Sequence, residues 1–240
     1  MIGGLTIIFE PNLFSIEKLE SSLLFNGGAW FIIIYSILYF LIPYINIVIE
    51  HIDKRKHFIL LIILLFFFSF YPTFISNVTV NDSGYGIINF ITLYLIGAFV
   101  SKYKLNKNSA LLYFIIYVFT SFITFFNFLD NDYYNTLAYN SIFNIIGSIA
   151  LFLFFSKLNI KSKLINKMSK YVFSIYIIHI NPFIKSYIWT DIMNSGDYYT
   201  SNFFIVNLVI SVTLVFIGSL FIDIFRDKLF IKLKNMNNKL

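Results

Sequence analysis

Twenty consecutive residues, Trp30 to Ile49, carry no charged side chain, and a second apolar run fills Phe58 to Phe70. A helix rises 1.5 Å per residue, so ~20 such residues match the ~30 Å hydrocarbon core of a bilayer. The whole chain follows suit, with 58% hydrophobic and 12% charged residues over 240 positions and mean hydropathy +0.78. Globular domains average about 45–50% apolar and about 25% charged residues, so no soluble interior of this size could hide the excess. The reading is an integral membrane protein of all-α class: a polytopic membrane helical bundle with about seven transmembrane helices. The apolar segments fall at 30–49, 58–76, 86–101, 109–129, 138–156, 171–190 and 202–222.

Basic residues fix the direction of these spans, because short cytoplasmic loops collect Lys and Arg. Sixteen of the 18 lie in alternate loops and the tail: Lys54, Arg55, Lys56; Lys102, Lys104, Lys107; Lys157, Lys161, Lys163, Lys167, Lys170; Arg226, Lys228, Lys232, Lys234, Lys239. The opposite loops hold Asp82, Asp130, Asp132, Asp191 and Asp197, with Lys18 and Lys185 the two basic residues on that side. The net charge of +6 is therefore a topology signal and an attraction for anionic headgroups, and no nucleic-acid partner is expected. The organisation expected is an extracytoplasmic head at 1–29, a transmembrane bundle at 30–222 and a basic cytoplasmic tail at 223–240. Met1–Phe9 has neither the positive flank of a signal peptide nor the length of a span, and residues 10–29 carry Glu10, Glu17, Glu20 and Lys18. A head outside the membrane is explained either by an odd number of upstream spans or by unaided translocation of a short acidic segment.

Polar residues inside the spans fall at helical spacing. The first span has Tyr35, Tyr39 and Asn46; the fourth Tyr113, Tyr117, Thr120, Ser121 and Thr124; the fifth Asn140, Asn144, Gly147 and Ser148. Each set lies on one helix face, where it serves either close interhelical packing or the lining of a path for a polar ligand. The third segment is short, and is expected to lean on protein and not on lipid. Trp30 reads as an interfacial anchor.

The sixth segment holds His179, eight residues or roughly 12 Å from its cytoplasmic end. An ionisable residue at that depth is either a functional group or interhelical hydrogen-bonding glue. On a continuous helix Tyr176, Phe183 and Ser186 share its face, while Asn181 points away. Pro182 is expected to kink the helix and leave the carbonyl of Ile178 free.

Several chemistries are excluded. The absence of cysteine removes disulfides, thiolate metal sites and cysteine nucleophiles together. His51 and His57 flank the first basic loop without a companion ligand and read as solvated loop residues, so no metal site is expected. No phosphate-binding glycine loop, H-E-x-x-H or nucleophile elbow occurs. The spans offer no carboxylate for ion pumping, since Glu50, Asp53 and Asp223 read as lying at cytoplasmic ends, and no inverted repeat marks a secondary transporter.

Three stretches carry a resemblance. They are Ala29-Trp-Phe-Ile-Ile-Ile-Tyr-Ser-Ile-Leu-Tyr-Phe-Leu-Ile-Pro-Tyr-Ile-Asn46, Leu93-Tyr-Leu-Ile-Gly-Ala98 before a basic loop, and Ser169-Lys-Tyr-Val-Phe-Ser-Ile-Tyr-Ile-Ile-His179 with Asn181-Pro182. Their order and spacing resemble the second part of the acyltransferase family 3 membrane proteins, over essentially the whole chain. The resemblance implies an acyl-CoA-dependent O-acyltransferase that moves an acetyl or other acyl group from cytoplasmic acyl-CoA onto sugars of exopolysaccharide, O-antigen or peptidoglycan. It implies no bound cofactor, acetyl-CoA as the leading donor, and cell-surface polysaccharide or a lipid-linked sugar as acceptor. The place implied is the cytoplasmic membrane of a bacterium, crossed many times, with the C-terminus in the cytoplasm.

Family members carry an Arg and a catalytic His in a first span that has no counterpart here. The main catalytic His is therefore expected upstream, and the chain is expected to be an N-terminally truncated form with little activity by itself. His179 matches a family motif position and is the catalytic candidate within these residues. Tyr35, Tyr39, Asn46, Tyr117, Asn144, Tyr176 and Ser186 are the candidates for a substrate path. Rival readings are a polysaccharide polymerase or flippase, and a non-catalytic membrane subunit; the short outer loops without Arg count against the polymerase.

Overall fold

A computed structural model describes residues 30–75, 81–106, 108–129, 135–181 and 185–237. The head at 1–29, Lys107, Asp130, Asp132, Pro182, Phe183 and Lys239 lie outside the described residues. The chain divides into two compact units, Phe31–Ile160 and Lys161–Leu240. Every regular element among the described residues is helical.

The first unit contains α1 (Trp30–His51), α2 (Lys54–Phe74), α3 (Ile87–Lys102), α4 (Ala110–Leu129) and α5 (Ile142–Lys157). Helices α1, α2 and α4 are long and apolar enough to cross a membrane, whereas α3 and α5 have 16 residues each. A 16-residue helix spans only ~24 Å, so α3 has to be covered by protein. It is: Asn89, Thr92, Ile96 and Phe99 recur at helical spacing along its buried face, with Leu95 beside them. Ile49 of α1, Leu61 of α2 and Ile145 of α5 close on Leu95, Ile96 and Phe99 to form the core of the unit. By contrast α4 buries Tyr113 and Thr120 and leaves Phe119, Phe122 and Phe126 exposed, as a lipid-facing helix does.

Side chains and turns confirm the up-and-down alternation within this unit. At one end, Lys102 donates from Nζ to the carbonyls of Ile49 and Ile52 (3.2 Å to the latter), and Lys157 donates to Asn106 O at 2.7 Å. These contacts gather three of the basic loops. At the other end Tyr139 N donates to Ser83 O and Asn135 N to Thr73 O, both at 3.0 Å. Gly84 sits there at φ +83°, and a Cβ on it would lie 2.5 Å from Asn140 N, so only glycine fits that turn.

Helix α2 is continuous but carries a π-turn at Phe66–Phe70. Its cause is Pro72, which has no N–H for the carbonyl of Phe68 and crowds it. The carbonyl is not left bare: Asn140 donates to it from Nδ2 at 2.9 Å.

The second unit contains α6 (Lys163–Ser169), α7 (Val172–Ile180), a π-turn at Tyr187–Ile192, α8 (Ser195–Tyr198) and α9 (Phe204–Asn237). The sixth apolar segment is thus not one spanning helix. Asn181 adopts φ −60°, ψ 125°, the extended conformation imposed on a residue before proline, and α7 ends there after nine residues. Four helices rather than seven meet the length and hydropathy of a span among the described residues, the fourth being Phe204–Lys232 of α9. The free carbonyl expected at Ile178 is also absent, because Asn181 N donates to it at 3.3 Å and closes the last turn.

Helix α9 passes the expected boundary at residue 222 without a break. No Gly or Pro occurs from Ser219 to Asn237, and Leu, Lys, Arg and Met propagate helix well. The outcome is a multi-pass membrane protein in which apolar faces remain exposed on every long helix.

Candidate functional site

The polar stripes of α4 and α5 face each other. These two helices pack more extensively than any other pair of described elements, and between them lies a cavity of about 530 Å³. Tyr117, Thr120, Ser121 and Thr124 line one wall, and Asn144, Gly147 and Ser148 the other. Phe125, Phe128, Tyr139 and Phe143 add an aromatic rim toward the Asp82 end. Gly147 permits the approach, since a Cβ there would sit 2.8 Å from Thr120 Oγ1.

Thr120, Ser121 and Thr124 of α4 and the amide of Asn144 spend their donors within the protein. Thr120 donates its hydroxyl to Ile116 O and Tyr117 O, both at 3.0 Å, Ser121 to Tyr117 O at 2.8 Å, and Thr124 to Thr120 O at 3.1 Å. Asn144 donates both Nδ2 hydrogens, to Thr136 O at 3.0 Å and Ala138 O at 2.8 Å. What these groups still offer is acceptor oxygen: the hydroxyl lone pairs and Asn144 Oδ1. Such a lining suits a ligand rich in O–H donors and flanked by apolar faces.

Of the residues singled out from the sequence, the structure brings Tyr117 and Asn144 together in this groove. Within the same unit, it does not bring Tyr35, Tyr39 or Asn46 there. Tyr35 stacks on Phe31 and is 50% exposed, and Tyr39 is 64% exposed on the outer face of α1. Asn46 accepts from Tyr94 OH at 2.8 Å and ties α1 to α3. Asn140, grouped by spacing with Asn144, turns instead to the proline gap of α2 and to Asn81.

In the second unit His179 is half-buried on α7. Its Nδ1 lies 2.8 Å from Ile175 O, which can only accept, so Nδ1 carries a hydrogen and Nε2 is the nitrogen left for other partners. Tyr176 meets it edge-on at 5.8 Å between ring centroids. Ser186 lies beyond the break at Asn181, so the shared helical face expected for His179 and Ser186 does not exist.

Two residues read as peripheral turn out to be buried. His57 is 0% exposed, not solvated: its Nε2–H donates to Leu95 O at 3.2 Å, and Phe99 and Tyr103 pack edge-on against the ring. His51 remains exposed as expected, bonded to Ile47 O. Asp223 is 3% exposed within the candidate span of α9, where Ser174 of α7 donates to it and Arg226 Nε lies at 2.9 Å. The carboxylate at this charged end of α9 is therefore buried and ion-paired. Among the described residues, no three His, Cys, Asp or Glu side chains gather as metal ligands.

Comparison with known proteins gives one result. Curated proteins and solved structures yield no match. The family model described as an acyltransferase domain matches residues 4–224, from within the head to the turn of α9 that holds Asp223. With the match running through both compact units, the chain belongs to the acyltransferase family 3 membrane proteins.

Proposed function

We propose that this acyltransferase transfers an acyl group, acetyl in the first instance, from cytoplasmic acyl-CoA to a hydroxyl of a saccharide on the far side of a bacterial cytoplasmic membrane. The observation that carries the reading is the groove between α4 and α5. It presents acceptor oxygens and aromatic faces, the complement of a sugar's hydroxyls and its apolar ring face. The charge rule places the Lys54, Lys102 and Lys157 ends in the cytoplasm, which puts the groove in the outer half of the membrane. A base takes the proton of the acceptor hydroxyl, its oxygen bonds to the thioester carbonyl carbon, the C–S bond breaks, and coenzyme A leaves as the thiol.

Two measurements test this. In the naturally cysteine-free chain, Tyr85→Cys and Lys104→Cys should react with an impermeant maleimide from opposite sides of the membrane. In a version carrying the expected upstream spans, Ser121→Phe, which fills the groove, should abolish acetylation of envelope saccharide measured by NMR in expressing cells, and Thr124→Val should raise KM for the acceptor. Normal acetylation by Ser121→Phe at normal expression would dismiss the groove as the acceptor seat.

A further inference from the structure

We propose that the basic end of α2 and α3 holds a phosphate-binding site built from Lys54, Lys102 and Tyr103, with His57 beneath. Lys54 Nζ and Lys102 Nζ each lie 5.7 Å from the centroid of the Tyr103 ring, so two ammonium groups converge on one side chain. Among the described residues neither has a carboxylate within ion-pair distance. The neighbouring Asp53 caps α2 through Lys56 N at 2.8 Å and faces Lys56 Nζ at 3.9 Å. That backbone N–H holds its carboxyl below the usual carboxylate range, so Asp53 is already matched as an anion.

A second, independent observation points to a bound group. Tyr103 Oη and His57 Nδ1 are both buried without a hydrogen-bond partner. Buried polar atoms are nearly always paired; the Tyr103 hydroxyl is a donor that a phosphate oxygen satisfies, whereas His57 Nδ1, left an acceptor by the Nε2–H bond to Leu95 O, can pair only with a phosphate O–H. Lys102 uses two of its three hydrogens on the carbonyls of Ile49 and Ile52, which fixes the ammonium and leaves one donor. Lys54 has an exposed, unpaired ammonium one turn from His57. Two ammonium donors and a phenolic hydroxyl suit the tetrahedral oxygens of a phosphate.

Two molecules could bring that phosphate to this end of the helices: an acyl-CoA, through its nucleotide, or an anionic phospholipid, through its headgroup. The first source rests on the acyl-CoA reading above and the second does not. The purified full chain in a phosphate-free maltoside detergent would be titrated with coenzyme A against pantetheine, and with phosphatidylglycerol against diacylglycerol by native mass spectrometry. At least one phosphate-bearing probe should bind while its phosphate-free counterpart does not. Lys54→Gln should weaken that probe about tenfold and Tyr103→Phe several-fold, with Lys56→Gln unchanged. Loss confined to coenzyme A assigns the donor's phosphate, and loss confined to phosphatidylglycerol assigns the headgroup. Lys54 is exposed, so its replacement leaves packing intact, which a melting curve checks. Wild-type affinity in both Lys54→Gln and Tyr103→Phe, or no binding of either phosphate probe, overturns the site, whereas failure of the acyltransferase reading would appear in acetyl transfer and not here.

Discussion

Gly147 gives the sharpest test of how α4 and α5 meet. A Cβ added there lies 2.8 Å from Thr120 Oγ1, about 0.6 Å inside an ordinary contact of ~3.4 Å. Thr120 cannot swing aside freely, because its hydroxyl is held by the carbonyls of Ile116 and Tyr117. The helices must part or the threonine must lose those bonds, and overpacking of this kind costs about 1–3 kcal/mol. Alanine also restores helix propensity worth up to ~1 kcal/mol over glycine. The difference leaves Gly147→Ala destabilised by roughly 0–2 kcal/mol net. At about 2–4 °C per kcal/mol for a chain this size, its Tm should fall by up to about 8 °C. Gly97 supplies the control, since nothing lies within 4 Å of a Cβ there. Gly97→Ala should therefore gain ~0.5–1 kcal/mol from propensity alone. Melting of detergent-solubilised chains reads both, and Thr120→Ala added to Gly147→Ala removes the obstructing oxygen and should recover most of the loss. A Gly147→Ala chain as stable as Gly97→Ala, or one that Thr120→Ala fails to rescue, would refute the packing argument.

Three other outcomes are expected. Asn140→Ala strands the carbonyl of Phe68 beside Pro72 and should cost about 1–3 kcal/mol, part of which Pro72→Ala returns by restoring the helical N–H; an unchanged melting temperature would remove Asn140 from this role. Arg226→Ala should destabilise more than Asp223→Asn, because the first leaves a carboxylate that is 3% exposed without its ion partner, while the second leaves an arginine that is 42% exposed and reaches water; the reverse order in melting experiments would contradict the geometry. With Nδ1–H engaged by Ile175 O, His179 presents Nε2 to a passing hydroxyl; assayed in a version carrying the expected upstream spans, His179→Ala should reduce acetyl transfer at least several-fold at normal expression, with partial recovery in His179→Gln if hydrogen bonding is the role, and full activity in both would reduce the residue to packing.

The sequence by itself determined what depends on neighbours along the chain. Apolar runs against charged loops gave α1 to α5 to within a few residues and the start of α9 but not its end, and charge alternation gave the up-and-down order that Lys102, Lys157 and Tyr139 confirm within the first unit. Helical spacing selected both walls of the groove, since a face is a local property; only packing showed that the faces of α4 and α5 meet and those of Tyr35 and Tyr39 do not. The break at Asn181 was legible in the proline that follows it, but a hydropathy average over twenty residues blurs one extended backbone unit. His57 and Asp223 lay beyond any such reading. Position near a basic loop fixes how far a residue is from the chain's charges, whereas burial depends on which helix crosses over it: α3 lays Leu95, Phe99 and Tyr103 on the histidine, and α7 brings Ser174 to the aspartate. The partner of the Phe68 carbonyl is 72 residues away in sequence, at Asn140, because a proline announces which carbonyl it deprives and only the tertiary fold decides what replaces the missing N–H.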